Sequence, residues 1–514
     1  MFRRKSNRSN SSDVVDFPPI DSVDSQPWRH PYLSPANIGR FREYSEDVWS
    51  HALDVWTDRE RPLDCGFVVN MAQNMHKWAR MAERRGVHST LYTHPMDTHP
   101  FSHPYWELFG GDLDDWTALG DGVPDQLFAE NSPVPMRSVP LDSSQFVVAV
   151  QNFEHRSSIG YSRADFFSLV ADSPSVRYES LWHHRMFATY HDWARELSRH
   201  DVCYAASAPF AAYASGVPYA VFSVGGDLQF DCGRATAFGR AMSVAFGSAR
   251  FLMVSNPHTL GHSRRLGFSN GVYLPYPMDT DRYSPGPAIA RQEWEARTGP
   301  GVFVLVTTRL DSSVKGYGTS MLEELLKLLR SVPQLRVVFL GWGADADRYR
   351  EVVSRAGLDA QVMILPPAGK EKLIDYYRSA DVVLDQFVYG YYGSSALEAA
   401  CVGKPVIMFI RRDQYDALYR GDSAPVEDAN SPLEVVGRLR TLAEDEGRRR
   451  ESGTKMREWV VRNHGEEKVA PLMVALLSLA ASRRALPSDL VNPLRSSLGE
   501  DEVEYHTSCR IPSA

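Results

Sequence analysis

Between residues 302 and 409 short apolar runs alternate with amphipathic stretches. The runs are VFVLV, RVVFL, QVMIL, DVVL and PVIMF, and between them lie MLEELLKLLR, DRYREVVSRAG and KEKLIDYYRSA. Near-continuous apolar strands separated by helices of 3.6-residue periodicity predict a doubly wound parallel sheet, because only a strand covered on both faces is apolar throughout. A similar alternation runs from about Cys65 to Tyr273, opening CGFVVNM, MHKWARMAERRG, STLYTH and continuing through QFVVAVQ (145–151), a long helix near 178–200, DVCYAAS, PYAVFSV and ARFLMVSN. The chain therefore reads as α/β with two Rossmann-like lobes, 46–285 and 286–460, joined by the Pro- and Gly-bounded segment SPGPAIARQEWEARTGPG. Residues 1–45 are polar and Pro-bearing and read as disordered or extended, 461–486 as a helix returning to the first lobe, and 487–514 as a tail.

The densest chemistry lies in DVVLDQFVYGYYGSSALEAACVGKPVIMF, from Asp381 to Phe409. The pattern predicts a strand at Val382–Leu384, a loop over Gly390–Gly393, a helix over Ser394–Cys401, a stop at Gly403 and a strand over Pro405–Phe409. A strand, a Gly-bearing loop and a helix N-terminus in that order form an anion site, because the first-turn amides have no internal partners and the dipole is positive there. Gly393 would let backbone approach a phosphate, with Ser394 and Ser395 in the first turn. Glu398 sits one turn in among apolar residues, so it needs a cation or a ligand hydroxyl.

Composition narrows the partners. The 514 residues carry a formal net charge of -8, which argues against a nucleic-acid partner. The five cysteines, Cys65, Cys203, Cys232, Cys401 and Cys509, are scattered, which fits a reducing cytoplasmic setting and gives no metal pattern. No run approaches the roughly 18 apolar residues of a membrane span. The basic N-terminus leaves only weak peripheral contact with anionic lipid as an expectation. His88, His94, His99 and His103 crowd a Pro- and Trp-rich stretch without ligand spacing, so no metal is expected, and the stretch 93–141 reads as a long surface loop that could shape an acceptor pocket.

The 381–409 segment resembles the sugar-nucleotide site of retaining GT-B glycosyltransferases of family 4, in which a Glu, seven residues, a second Glu and a Gly-Lys-Pro-Val strand follow one another. Glu398 and Gly403–Ile407 match that pattern, while Gly390 stands where the first Glu would. The resemblance implies that Glu398 accepts the ribose hydroxyls and that Arg309 and Lys315, in TTRLDSSVKG, bind the diphosphate and help catalysis. Tyr392 and Gly390 would line the donor loop, and Gly341 and Pro366 would wall the base pocket at neighbouring strand ends.

In the first lobe, Gly225-Gly226-Asp227 resembles the family's His-Gly-Ser-Asp segment, with Val224 at the His position and Asp227 as a catalytic candidate; a turn in which Asp227 caps the next helix is the alternative. Asn70, Gln73 and Asn74 stand where the family's Gly-rich loop meets the acceptor, though amides there can simply cap the helix. His155 is a further acceptor-side candidate at a strand's end. The implied activity is hexosyl transfer from UDP- or GDP-hexose to a glycan, lipid or small molecule, with no cofactor and no metal. A sugar-nucleotide epimerase and a silent sugar-nucleotide binder are the other readings.

Overall fold

The computed structural model describes residues 29–93, 104–107, 136–138, 193–207, 209–232, 237–311, 319–495 and 503–507. The expected strand 145–151, His94, His99, His103, His155 and Lys315 lie outside the described residues.

Fifteen strands are described. They are β1 (Arg29–Leu33), β2 (Asp64–Val68), β3 (His88–Thr93), β4 (Met136–Ser138), β5 (Val202–Ala206), β6 (Tyr219–Phe222), β7 (Phe251–Val254), β8 (Gly271–Tyr273), β9 (Val302–Val306), β10 (Leu335–Leu340), β11 (Val362–Leu365), β12 (Val382–Leu384), β13 (Val406–Met408), β14 (Glu427–Asp428) and β15 (Val503–Thr507). Seven make the first-lobe sheet, in the order β4-β3-β2-β5-β6-β7-β8, and six make the second, β11-β10-β9-β12-β13-β14. Every pairing within the two sheets is parallel. This is the GT-B architecture, two Rossmann-like lobes. In each lobe the strand order reverses once, between β2 and β5 and between β9 and β12, and the crevice beyond those strand ends is where a doubly wound sheet binds ligands.

The termini are more ordered than their composition implies. Residues 29–33 pair antiparallel with 503–507, and a 23-residue helix runs from Pro35 to Thr57. Ser34 caps that helix by accepting from the Asn37 amide, and Pro35 starts it. Ile38, Phe41, Val48 and Ala52 are fully buried along one face, so the expectation of an unstructured 1–45 is corrected from residue 29 onward. The reason lies in packing: this helix lies against the Glu466–Ser482 helix and extends the first-lobe core. At the other end Leu494 is buried and the Asn492 amide donates to the Ser269 and Gly271 carbonyls, so 487–514 is not simply a tail. The 93–141 stretch likewise contributes edge strand β4 and a short turn, Pro104–Glu107.

The lobes join at Met278 and Gly465. Met278 donates to the His464 carbonyl and accepts from the Glu466 amide, so the linker and the start of the crossing helix are stitched side by side. The crossing helix is Glu466–Ser482; the preceding helix, Glu446–His464, packs on the Ser394–Cys401 helix of the second lobe.

Candidate functional site

The second-lobe crevice opens where β9 and β12 run side by side, Val306 opposite Leu384. Both strands end in polar residues, and the Thr308 hydroxyl donates to Asp385 across the gap at 2.8 Å. Beyond β12 the chain turns under the control of Gln386. Its Nε2 donates to the Tyr391 and Phe409 carbonyls at 2.5 and 3.3 Å, and its Oε1 accepts from the Val388 and Tyr389 amides at 2.9 and 2.7 Å.

Gly390 occupies this turn at φ +65, and the Arg411 amide donates to its carbonyl at 2.8 Å. A Cβ at 390 would stand 2.7 Å from Arg411 Cγ and 3.0 Å from Phe409 Cε1. No side chain fits there, so the absent first Glu follows from the path of the loop, and Gly390 faces Arg411 and Phe409 instead of a donor.

Gly393 then opens the Ser394–Cys401 helix in extended conformation. Nothing lies within 4 Å of where its Cβ would be, so the first turn faces open space. Ser394 and Ser395 are half-buried there, and neither hydroxyl has a protein partner among the described residues. Arg309 follows β9, half-buried, with its Nε 3.8 Å from the Asp311 carboxylate and without a hydrogen bond. Burial pushes the Tyr389 phenol up to about 12, against the opposing pull of the Arg309 charge, which places that guanidinium beside the same loop. Arg309 thus follows β9, and Gly393, Ser394 and Ser395 follow β12, the two neighbouring strands that flank the crevice.

Other expected residues are placed differently. Glu398 is fully buried: its Oε1 accepts from Lys370 Nζ at 2.6 Å and its Oε2 from the Tyr377 hydroxyl at 3.2 Å, so each oxygen expected to meet a ribose already has one protein partner. Tyr392 points away from the loop into an aromatic cluster, bonded to Tyr419 and 3.2 Å from His464 Nε2. Its neighbour Tyr391 faces the first lobe instead. Gly341 has no room for a Cβ, with Ile364 and Arg350 within 2.8 and 2.6 Å, and so packs strand ends together, while Pro366 is exposed at the rim.

The first-lobe side is equally specific. Asp227 is buried, and its Oδ1 accepts from Ser223 Oγ at 2.5 Å and the Leu228 amide at 2.8 Å, its Oδ2 from the Val224 amide at 3.1 Å. Burial raises its pKa to about 6 against these bonds. Its oxygens serve their own turn and make no helix-capping hydrogen bond, so the tight turn is present without the expected cap. Asn70 is buried with Nδ2 on Gln73 Oε1 at 2.8 Å and Oδ1 on the His76 amide at 2.8 Å, and Asn74 accepts from the Tyr276 hydroxyl. These amides hold the loop together and are not presented to an acceptor. The loop is strained: Val69, Ala72 and Gln73 have φ of 62, 54 and 63, a left-handed backbone costly for L-residues and normally given to glycine.

Residues that pattern reading passed over tie the lobes together. The Tyr391 ring stacks 4.8 Å from His258 of the Pro257–Arg265 helix, and the Tyr32 hydroxyl donates to the Tyr389 carbonyl at 2.8 Å. Gly225, in the Asp227 turn, is so close that a Cβ there would lie 3.4 Å from the Tyr391 hydroxyl. Glu107 is buried against Arg282 at 2.5 Å, and Arg282 also reaches Glu371 at 2.6 Å. The only signal of these pairs in the sequence is a charged or aromatic residue flanked by strand ends, which carries no partner information.

Comparison with known proteins agrees with this geometry in the second lobe. Residues 292–459 match the family model described as glycosyl transferases group 1. The D-inositol 3-phosphate glycosyltransferase of Geodermatophilus obscurus is 29% identical over 237 residues, 43% of this chain and 51% of that protein. The enzyme of the same name from Xylanimonas cellulosilytica is 27% identical over 222 residues, 41% of this chain and 52% of that one. The chain thus spans about half the length of these relatives. Among solved structures, the Anabaena protein Alr3699/HepE in complex with UDP-glucose superposes with a TM-score of 0.54 at 12% identity, covering 81% of this chain and 99% of that one. Sucrose-phosphate synthase from Thermosynechococcus elongatus gives 0.51 at 14%, covering 80% and 98%. At such identities the structures speak for the fold alone. No described helix is long and apolar enough to cross a membrane.

Proposed function

We propose that this chain, a GT-B glycosyltransferase whose second lobe carries the glycosyl transferases group 1 domain, moves a hexosyl group from UDP- or GDP-hexose to an acceptor hydroxyl with retention of configuration. One observation carries the reading. The Ser394–Cys401 helix, opened by Gly393 with open space beside it, follows β12, and Arg309 follows β9, the neighbouring strand at the point where the strand order reverses. An anion of two or more charges is what such a site neutralises, and a nucleoside diphosphate is the leaving group of sugar transfer.

As the bond from the sugar's anomeric carbon to the diphosphate breaks, the electron pair leaves on the phosphate oxygen. Arg309 and the helix amides meet the developing charge, with Lys315 as a second cation. The acceptor hydroxyl attacks the oxocarbenium-like centre from the same face and its proton passes to the departing phosphate oxygen. That route needs no side-chain base, which suits an Asp227 already bound by its own turn. Nor does it need a divalent ion to offset the diphosphate. The acceptor named for the two relatives is a phosphorylated polyol, so inositol phosphate is the first acceptor to try beside glycans and lipids.

The test is a panel of UDP- and GDP-hexoses incubated with the protein in chelator, following donor hydrolysis and transfer to inositol phosphate, with the product anomer read by NMR. Arg309→Ala is expected to lower kcat/KM by about 10²-fold or more. Binding of UDP without hydrolysis or transfer from any donor would leave the silent-binder reading in place of this one. An inverted anomer would remove retention.

A further inference from the structure

The first strand lies between the two lobes. β1 runs along the Pro257–Arg265 helix of the first lobe and pairs with β15, so segments from both ends of the sequence meet there. Tyr32 and Leu33, at its end, are buried and reach the second lobe. The Leu33 carbonyl accepts from Gln414 Nε2 at 3.0 Å, within the Arg412–Tyr419 helix. One turn into the Pro35–Thr57 helix and beyond, Glu46 meets Arg420 at 2.5 Å.

Tyr32 is held from one lobe and acts on the other. Its ring stands edge-on to His258 of the first lobe, centroids 6.2 Å apart, and the Arg411 guanidinium of the second lobe lies 4.6 Å from its centre. Its hydroxyl crosses to the Tyr389 carbonyl at 2.8 Å. Burial raises the Tyr32 phenol pKa against the pull of Arg411, so the hydroxyl keeps its proton and remains a donor.

The turn that Tyr32 reaches is the one leading from β12 to Gly393. Gln386 holds its Val388 and Tyr389 amides, and the Arg411 amide holds its Gly390 carbonyl. Those bonds come from the second lobe itself. The bond to the Tyr389 carbonyl comes from outside it, and the Arg411 side chain that covers the Tyr32 ring belongs to the residue whose amide fixes Gly390. One ring therefore bears on two successive residues of the turn. A buried carbonyl that loses its donor must find another or stay unpaired, and either outcome moves or loosens the turn.

We propose that Tyr32 is a positioning residue for the donor site, fixing the 388–391 turn from the first-lobe side and with it the approach to the open helix start at Gly393. The inference rests on the reading of that helix start as the place of the donor diphosphate. It assigns part of the shape of the site to a strand more than 250 residues away, outside the 292–459 segment that matches the family model. A tie that only adds stability lowers Tm wherever it is cut; a tie that shapes the turn changes the turn itself.

Two variants of the whole protein, each removing a buried tyrosine hydroxyl from a backbone carbonyl, separate these roles. Tyr32→Phe cuts the bond to Tyr389, and Tyr219→Phe cuts one of the same kind, to the Ala245 carbonyl at 2.7 Å in the first-lobe core. Both should lower Tm by a similar amount. Hydrogen–deuterium exchange, read by mass spectrometry on peptides covering 386–392, should quicken by about fivefold or more in Tyr32→Phe and stay within about twofold of the parent in Tyr219→Phe. In calorimetric titrations with UDP and GDP, the nucleotide that binds the parent should bind Tyr32→Phe about fivefold or more weakly and Tyr219→Phe as tightly as the parent. Unchanged exchange at the turn, parental nucleotide affinity in Tyr32→Phe, or an equal loss in Tyr219→Phe overturns the proposal alone. A parent that binds neither UDP nor GDP overturns the transferase reading, and the proposal with it.

Discussion

Two glycines three residues apart in the same loop should fail in opposite ways when each gains one methyl group. At Gly390, alanine meets a left-handed backbone, φ +65, and a wall formed by Arg411 Cγ at 2.7 Å, Phe409 Cε1 at 3.0 Å and the Arg411 backbone nitrogen at 3.3 Å. The backbone costs about 1–2 kcal/mol and the overpacking about 1–3 kcal/mol. Gly390→Ala should therefore destabilise the second lobe by about 2–5 kcal/mol, a fall in Tm of roughly 4–20 °C. At Gly393 the added methyl meets nothing within 4 Å, and φ of -97 suits any residue. Gly393→Ala should fold with near-parental stability, yet its methyl stands where a phosphate would approach the helix amides. Loss of one charge-assisted bond of about 1.5–3 kcal/mol corresponds to tenfold or weaker UDP binding. Scanning fluorimetry and calorimetric UDP titration on both variants separate the effects. A Gly390→Ala protein as stable as the parent would refute the steric reasoning, and undiminished UDP affinity in Gly393→Ala would refute the donor assignment.

Ala72→Gly should stabilise the protein by about 1–2 kcal/mol, since Ala72 is exposed and sits at φ 54; an unchanged or lower denaturation midpoint would count against the strain. Lys370→Met leaves the Glu398 carboxylate buried without its cation and should cost about 3–5 kcal/mol, whereas the double change Lys370→Met with Glu398→Leu should recover most of it in a denaturant melt. His464 and His76 are buried neutral, burial pulling them down to about 4 and about 3, so the unfolded chain binds protons that the native state refuses; stability should fall as pH drops from about 6.5 toward 4, and His464→Gln should flatten that slope. Asp227 acts in the opposite sense: its native pKa near 6 lies above the unfolded value, so its protonated carboxyl favours folding below the unfolded pKa, and that advantage is lost as pH rises through 6. Asp227→Asn should remove this second slope, and identical pH profiles for variant and parent would contradict it.

The doubly wound sheets and the strand, turn and helix of 381–409 were legible because each depends on local periodicity and on residues adjacent in sequence. The structure's strands at Val382–Leu384 and Val406–Met408 and its helix at Ser394–Cys401 sit where the pattern predicts. The Pro35–Thr57 helix carried its signals too, a Ser-Pro start and apolar residues at 38, 41, 48 and 52, but composition had suggested disorder. What could not be read was which partner a polar side chain would find. Glu398 lies 28 residues from Lys370, and Glu107 lies 175 from Arg282. Asn70, Gln73 and Asn74 show the same limit: their residue types allow either a ligand or a cap, and only the fold places the His76 amide and the Tyr276 hydroxyl within reach.

The departures at positions 390 and 224 lie in different lobes, 390 in the turn after β12 and 224 in the turn after β6. The Gln386 amide uses both its donors and both its acceptor positions to hold 388, 389, 391 and 409. That turn leaves no volume for a carboxylate at 390 and swings Tyr391 across to His258 and the Gly225 turn. Glycine at 225 and tyrosine at 391 therefore depend on each other, and glycine at 390 on the path of the same loop. Tyr391 thus carries a phenol from a loop pinned by Gln386 across to His258 and Gly225 of the first lobe.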